Sequence, residues 1–259
     1  MQNWLCYEGV FLPDGMEKEK IWFEDLGLME YKKAWDYQES LFKKNLEVKS
    51  TVYSLPHEAN TKLTPATQHY LLFTEHPPVY TLGKNGNSNH VLLNQNELLA
   101  KNISYFQTNR GGDITFHGPG QLVGYPILDL EKFETDLGKY LRNLEEVIIL
   151  TLAEFGISAG RSPGATGVWI EPDVPGSERK ICAMGVRSSR WITMHGFALN
   201  VNTDLSYFNY IIPCGIANKQ VTSIQNELKQ PINIVRVKEK IKLNFEEVFG
   251  ATILSEIFC

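Results

Sequence analysis

Apolar residues recur at helical spacing in three stretches of the chain. Residues 29–46 place apolar side chains on one face and lysines opposite, and residues 237–250 repeat that amphipathic pattern near the end of the chain. Residues 136–156 form the longest stripe, made of Leu137, Leu141, Leu144, Val147, Ile148, Leu152 and Phe155. Gly156 follows this stripe where a helix stop is expected. The spacing therefore predicts three main helices.

Between these stretches, short runs rich in β-branched and aromatic residues predict strands. The clearest lie at residues 69–76, 79–83, 104–109, 113–130, 168–170, 180–188, 191–201 and 232–236. Residues 113–130 are expected to form two strands broken by a turn at 117–120, and residues 96–102 a short helix. Because strands alternate with helices but some are joined by short turns, we expect an α/β fold in which helices flank a mixed sheet.

Composition and charge narrow the possible functions. The 259 residues are 43% hydrophobic and 21% charged, with a formal net charge of −5, which does not favour binding to nucleic acid or to a membrane surface. The four cysteines are scattered and show no metal-ligand spacing. The start lacks the pattern of a targeting peptide. We therefore expect a cytoplasmic protein without a metal or cofactor, with an N-terminal extension over residues 1–19 and a single domain over 20–259.

The segment from Arg110 to Gln121, RGGDITFHGPGQ, concentrates unusual chemistry. Adjacent glycines allow close backbone approach to a ligand, an arginine offers a planar donor fork, and a histidine offers a titratable ring. The segment matches neither common nucleotide-binding loop. A glycine-rich β-hairpin turn is the alternative interpretation.

Cys214 lies between a proline and a glycine, and Lys180 enters an apolar strand-like run that also contains Cys182. A rigid, open turn suits a nucleophilic thiol, and a cation nearby would favour the thiolate. The alternatives are a buried, inert cysteine and an edge lysine whose charge reaches solvent. His76 and His195 have no second ligand at metal spacing, so we interpret both as structural, and Cys182 as a core residue.

Six ordered motifs resemble those of the lipoyl(octanoyl) transferase family. They are DLGLMEYKKAWDYQ, EHPPVYTLG, RGGDITFHGPGQLVGYPILDL, RKICAMGVR, HGFALNV and PCG followed by VTS, within residues 23–250. The resemblance implies a mixed sheet flanked by helices, as in the biotin and lipoate protein ligase catalytic domains. It also implies an octanoyltransferase that takes octanoate from acyl carrier protein. The acceptors would be lysines of the lipoyl domains of 2-oxoacid dehydrogenase complexes and of the glycine cleavage H protein.

The resemblance also implies roles for individual residues. Cys214 matches the acyl-thioester nucleophile, and Lys180 matches the lysine that helps to form the thiolate and carries its proton. The substrate-binding loop would comprise Arg110, Gly111, Gly112, Asp113, Ile114, Thr115, Phe116 and His117. The walls of the acyl pocket would comprise Ala183, Met184, Gly185, Gly196, Phe197 and Ala198. Met184 and Phe197 replace residues that are commonly aliphatic in the family, which affects the expected chain-length preference.

Two other functions remain open from the sequence. An ATP-dependent lipoate–protein ligase would share the fold but needs no nucleophilic cysteine, and a non-catalytic acyl- or lipoyl-domain-binding protein could dispense with both Cys214 and Lys180. Four arginines, Arg161, Arg179, Arg187 and Arg190, cluster in one stretch. They are a candidate docking face for an acidic carrier protein, the alternative being a solvated loop surface.

Overall fold

The computed structural model describes residues 18–54, 64–212 and 220–255. Its strands are β1 (Lys20–Leu28), β2 (His69–Glu75), β3 (Val79–Leu82), β4 (Ser104–Gln107), β5 (Ile114–His117), β6 (Gln121–Ile127), β7 (Gly160–Ser162), β8 (Ala165–Ile170), β9 (Arg179–Ser189), β10 (Ile192–Asn200), β11 (Gln220–Val221) and β12 (Thr252–Ser255). Its α-helices are α1 (Tyr31–Tyr53), α2 (Gln95–Ala100), α3 (Leu137–Ala153), α4 (Ile224–Leu228) and α5 (Ile234–Phe249). Three 3₁₀ helices cover Ser88–His90, Leu130–Lys132 and Leu205–Tyr210.

Two sheets organise these elements. The larger has nine strands in the order β12-β1-β2-β6-β10-β9-β8-β7, with β11 pairing to β9, and the smaller has three in the order β4-β3-β5. Strand β1 is parallel to both β12 and β2, and β11 is parallel to β9. The pairs β2–β6, β6–β10, β10–β9, β9–β8 and β8–β7 are antiparallel. The expected mixed α/β sheet flanked by helices is therefore confirmed.

Helices cover both faces of the larger sheet. The apolar stripes of α3 and α5 pack on one face, against residues such as Leu71, Leu122 and Phe197. Helix α1 packs on the other face, where Ala34, Leu41 and Phe42 meet strands β2, β6 and β10. The smaller sheet builds a separate core with the 3₁₀ helix Leu205–Tyr210. This arrangement leaves the glycine-rich segment at the place where the two sheets meet.

Some predicted elements differ from the structure. Strands β5 and β6 do not form a hairpin, because the turn at residues 117–120 carries the chain from the smaller sheet to the larger one. The strand predicted at 232–236 is wrong. The Asn233 side chain accepts a hydrogen bond from the Val235 N–H and starts α5 there, so the local capping interaction overrides the apolar alternation. Strand β12, parallel to β1, was not predicted.

The domain division stays a prediction, since residues 1–17 lie outside the described residues.

A buried lysine ties α1 both to the segment that follows β6 and to the hairpin between β9 and β10. Lys49 and Asp129 are both almost fully buried, and Nζ lies 2.6 Å from Asp129 Oδ1. The same ammonium donates to the Arg190 carbonyl oxygen across 2.8 Å and lies 3.0 Å from Glu131 Oε2. Arg190 and Trp191 both adopt positive φ values in this tight turn. Lys49 therefore holds a turn whose backbone is otherwise strained.

We expect Lys49→Met to destabilise the protein by about 3–5 kcal/mol, because it leaves Asp129 buried without its cation. Urea unfolding at pH 7 measures the change. Lys44→Met, an exposed lysine on the same helix, is the matched control and should change the free energy of unfolding by less than about 0.5 kcal/mol. Equal stabilities of the two variants would contradict the role of this ion pair.

Candidate functional site

A cavity of about 630 Å³ lies where the glycine-rich loop faces strands β6, β9 and β10. The structure brings the predicted binding residues together there: with the single exception of Phe116, all of those named from Arg110 to His117, from Ala183 to Gly185 and from Gly196 to Ala198 line it. Lys180 lines it as well. Residues far apart in the chain thus line one cavity, and their role in binding stays a prediction.

Small side chains form part of the wall contributed by the larger sheet. Ala183 pairs with Ala198, and Gly185 pairs with Gly196, in the register of β9 with β10. The Gly111 N–H donates to the Val186 carbonyl oxygen across 2.9 Å, and a Cβ atom added at Gly185 would lie only 2.9 Å from the Gly111 carbonyl oxygen. The absence of side chains here lets the loop approach the sheet and leaves a narrow, largely apolar slot.

Arg110 is used to build the loop. Its Nη2 donates to the Thr81 carbonyl oxygen across 2.6 Å and to the Asp113 carbonyl oxygen across 2.8 Å, and its Nη1 donates to the Gly111 carbonyl oxygen across 3.0 Å. The residue is almost completely buried. The planar fork expected to bind a ligand therefore binds backbone carbonyls, which fixes the shape of the loop.

Phe116 points away from the cavity. Its ring stacks on Tyr207 with centroids 4.6 Å apart, in the core of the smaller sheet. Thr115 and His117, on the other side of the strand, line the cavity, and so does Ile114 at the start of the strand. A continuous segment predicted from sequence could not separate these two faces before the strand was located.

His117 begins a chain of buried hydrogen bonds across the site. Its Nδ1 lies 2.8 Å from Gln121 Oε1, and Gln121 Nε2 donates to Asn200 Oδ1 across 2.9 Å. Asn200 Nδ2 donates to the Thr222 carbonyl oxygen, while the Thr222 N–H donates to the Lys180 carbonyl oxygen, each across 2.9 Å. The chain links the glycine-rich loop to the strand that carries Lys180. Burial, followed by the charges of His76 and Arg110, holds the His117 pKa well below its usual range.

Lys180 lies near the start of β9, with its ammonium over the ring of Trp169 at 4.6 Å from the centroid. Val221 of β11 pairs with Lys180 in parallel register. Cys214, the predicted nucleophile, lies outside the described residues, as do Cys6 and Cys259. The described residues on either side of it reach the cavity, since Phe208 and Val221 both line the wall.

His76 and His195 are buried. His76 contacts the Met29 carbonyl oxygen and the Tyr125 hydroxyl, both at 2.7 Å, and burial lowers its pKa to about 4. His195 Nε2 lies 2.8 Å from Asn109 Oδ1, and burial together with Arg110 lowers its pKa to about 3. His195 Nδ1 has no hydrogen-bond partner among the described residues. The structural interpretation fits His76 fully and His195 in part, because His195 also lines the cavity.

Several residues of the cavity wall were not predicted as such. Tyr31, Tyr125, Trp169, Leu137 and Leu141 all line it. Tyr31 stacks on His117 with centroids 5.9 Å apart, and burial raises its pKa to about 12. Leu137 and Leu141 belong to the apolar stripe of α3, from which the sequence predicted only a helix. An apolar helix stripe does not distinguish a core contact from a cavity wall.

Three of the four clustered arginines are ion-paired. Arg161 binds Glu145 and Glu146, Arg179 binds Glu171 and Glu227, and Arg187 binds Glu39. These carboxylates neutralise most of the positive charge that made the stretch a candidate docking face for an acidic partner. The arrangement favours the alternative, a solvated and internally paired surface.

The described ranges offer no metal or membrane-spanning feature. No three His, Cys, Asp or Glu side chains within residues 18–54, 64–212 and 220–255 are grouped so that they could hold a metal ion. None of the helices in those ranges is long and apolar enough to cross a bilayer. Cys182 is buried in the core, and burial raises its pKa.

Comparison with known proteins places these residues in a family. The profile of the Lipoyl protein ligase A/B catalytic domain matches residues 30–246. The chain is 54% identical over 239 residues to a protein of Christiangramia forsetii named Octanoyltransferase, covering 92% of this chain and 99% of that protein. It is also 54% identical over 237 residues to a Flavobacterium johnsoniae protein of the same name, covering 91% and 99%.

Solved structures share the fold at low sequence identity. A lipoate-protein ligase A bound with ATP superposes with a TM-score of 0.62 at 14% identity, covering 93% of this chain and 89% of that chain. A putative lipoate protein ligase from T. acidophilum with bound lipoic acid superposes with a TM-score of 0.61 at 13% identity, with the same coverages. The expected likeness to lipoate ligases is confirmed at the level of fold.

The buried His195 should make stability depend on pH. Its folded-state pKa of about 3 lies below the unfolded value of about 6.5, so its contribution to stability is present above pH 6.5 and is lost as the pH falls toward 3. We expect His195→Gln to reduce the slope of unfolding free energy against pH by about 1 kcal/mol per pH unit near pH 5. Urea unfolding from pH 7 to pH 4.5 measures both slopes, and identical slopes would contradict the prediction.

Proposed function

The chain belongs to the Lipoyl protein ligase A/B catalytic domain family and is an octanoyltransferase of protein lipoylation, and from this premise we propose that the octanoyl group passes through a thioester on Cys214. The donor is octanoyl-acyl carrier protein. The acceptors are lysines of the lipoyl domains of 2-oxoacid dehydrogenase complexes and of the glycine cleavage H protein. The cytoplasmic location expected from the sequence remains part of this proposal.

In the first half-reaction, the Cys214 thiolate attacks the carbonyl carbon of the octanoyl thioester. Lys180 receives the thiol proton, the bond from the carbonyl carbon to the pantetheine sulfur breaks, and the departing thiolate takes that proton back. The octanoyl chain lies in the slot beside Ala183, Gly185 and Ala198. The largely apolar wall lets an alkyl chain leave water without burying an unpaired polar group of its own.

In the second half-reaction, the ε-amine of the acceptor lysine attacks the enzyme thioester. The bond from the carbonyl carbon to Cys214 Sγ breaks and an amide bond forms. Lys180 takes the proton that the amine loses and returns it to the Cys214 thiolate. A thioester already carries the activation that an amide bond requires, so no ATP is needed.

One observation carries this proposal: Lys180 lines the same cavity as the slot, together with described residues that precede and follow the Cys214 segment. Phe208 precedes the segment, Val221 follows it, and both line the cavity together with Lys180. Val221 is paired directly with Lys180. Because Val221 follows Cys214 by only seven residues and pairs with Lys180, chain length limits how far apart the two groups can lie.

The two rival functions receive less support. The solved ligase bound with ATP shares only 14% identity with this chain, so it supports the fold and not the use of ATP. The octanoyltransferases are 54% identical over nearly their whole length. A pure binding protein would have no need of a lysine held over an indole ring in the wall of the cavity.

We expect incubation with octanoyl-acyl carrier protein to add one octanoyl group to the wild-type protein and none to Cys214→Ser. Intact mass measures the adduct. Lys180→Ala should keep the fold and slow adduct formation by about 10²-fold or more, because the proton carrier is lost. An adduct that persists in Cys214→Ser, or transfer that requires ATP and free octanoate, would overturn the thioester mechanism.

Filling the slot should shorten the preferred acyl chain. Ala183→Leu adds three carbon atoms to the wall opposite Ala198, and one methylene of misfit is worth about 10–200-fold in discrimination. We expect the kcat/KM ratio of octanoyl to butanoyl thioesters to fall at least about tenfold. Ala100→Leu, at an exposed helix position, is the control and should leave the ratio unchanged. An unchanged ratio in Ala183→Leu would remove Ala183 from the acyl site.

A further inference from the structure

A buried carboxylate lies behind the cavity wall without a role in the mechanism. Glu145 of α3 has a fully buried side chain, which is costly for a charge unless it is paired. Its Oε2 accepts hydrogen bonds from Arg161 Nε at 3.0 Å and lies 2.8 Å from Arg142 Nη1. Two arginines therefore neutralise the charge, and they leave the second oxygen available for another contact.

That second oxygen binds the backbone of β8. Glu145 Oε1 accepts the Gly167 N–H across 2.9 Å. Gly167 has a φ of +115°, and a Cβ atom there would lie 2.5 Å from the Cys182 carbonyl oxygen. The register of β8 against β9 shifts between Val168 and Trp169. The carboxylate thus fixes a bulged stretch of strand that only glycine can occupy without strain.

The bulged strand β8 contacts the Lys180 side chain along its length. A Cβ atom at Gly167 would lie 3.6 Å from Lys180 Cε, so the glycine backbone runs along the stem of the lysine. Trp169 pairs with Lys180 in register, and its ring faces the ammonium at 4.6 Å. Gly167 therefore positions the aliphatic part of the Lys180 side chain, and Trp169 positions its ammonium group.

Helix α3 also contributes to the slot. Leu141, one helical turn before Glu145, lines the cavity. The helix that supplies part of the acyl wall therefore also supports the strand beneath the proton carrier.

We propose that Glu145 is a positioning residue for acyl transfer: by holding Gly167 it fixes the bulge whose Gly167 and Trp169 place the Lys180 ammonium at the cavity. This inference rests on the proposed role of Lys180. Glu145 does not touch the reacting atoms and acts only through β8.

The test compares Glu145→Leu with Glu145→Gln in single-turnover formation of the octanoyl adduct on Cys214. Glu145→Leu removes the acceptor for Gly167, and we expect the acylation rate to fall about 10²-fold, as for a displacement of about 1 Å, with little change in KM for the octanoyl donor. Glu145→Gln keeps a carbonyl acceptor and should retain most of the rate. Glu146→Leu is the matched control, since Glu146 is half-exposed, also binds Arg161 and should keep the wild-type rate.

A second comparison separates positioning from simple stabilisation. In a Lys180→Ala background, Glu145→Leu should cause no further loss of rate, because its effect passes through Lys180. A merely structural role would lower the unfolding temperature yet leave the rate per folded molecule intact, which would overturn the inference. If Glu145→Leu does not fold, Trp169→Leu takes its place. Slower acylation with an unchanged KM for the octanoyl donor supports the positioning of Lys180 by β8, and a wild-type rate refutes it. Absence of any adduct on the wild-type protein would instead refute the thioester mechanism itself.

Discussion

The site depends on one close contact between the backbones of the two sheets. The Gly111 N–H donates to the Val186 carbonyl oxygen, at a place where Gly185 opposes the loop and leaves no side chain between them. Gly83 allows a similar approach, since a Cβ atom there would lie 2.2 Å from the Gly112 carbonyl oxygen. Arg110 then locks the loop by binding its carbonyls. The slot is the space that this contact leaves between the loop and the small residues of β9 and β10.

The local sequence predicts helices and strands better than it predicts how these elements pair and pack with one another. Helical spacing located α1, α3 and α5 because amphipathic faces follow from the period of the helix. The same reasoning could not show that β5 and β6 separate into different sheets, because that depends on long-range pairing. Nor could it show that Arg110 binds its own loop. The motifs assigned Lys180 and the glycine-rich segment to one site. The fold was needed to show which side of β5 faces the cavity, and therefore where Phe116 lies.

For two charged residues, the position in the sequence does indicate burial. Glu145 follows Leu141 by four residues and precedes Ile148 by three, so it lies on the apolar stripe of α3. Lys49 lies seven residues after Phe42, on the buried face of α1. A charge on an apolar stripe must find a partner or lose stability, so such positions predict internal ion pairs. Arg142, one partner of Glu145, lies three residues before it on the same helix. The other partners, Arg161 and Gly167 for Glu145 and Asp129 for Lys49, are distant in the chain and follow only from the structure.

Both sheets support the two groups proposed to carry the reaction, and β11, which follows the Cys214 segment, pairs with the strand of Lys180. Lys180 lies on β9 of the larger sheet, next to β8, and the Trp169 ring of β8 contacts its ammonium. The chain that leads toward Cys214 is anchored on the smaller sheet's side, where the Tyr80 hydroxyl donates to the Tyr207 carbonyl oxygen and the Ile212 N–H donates to the His90 carbonyl oxygen. His90 in turn contacts Asp113 of the glycine-rich loop at 2.6 Å. The loop therefore links both supports, and Gly83 and Gly185 give its backbone the room to do so.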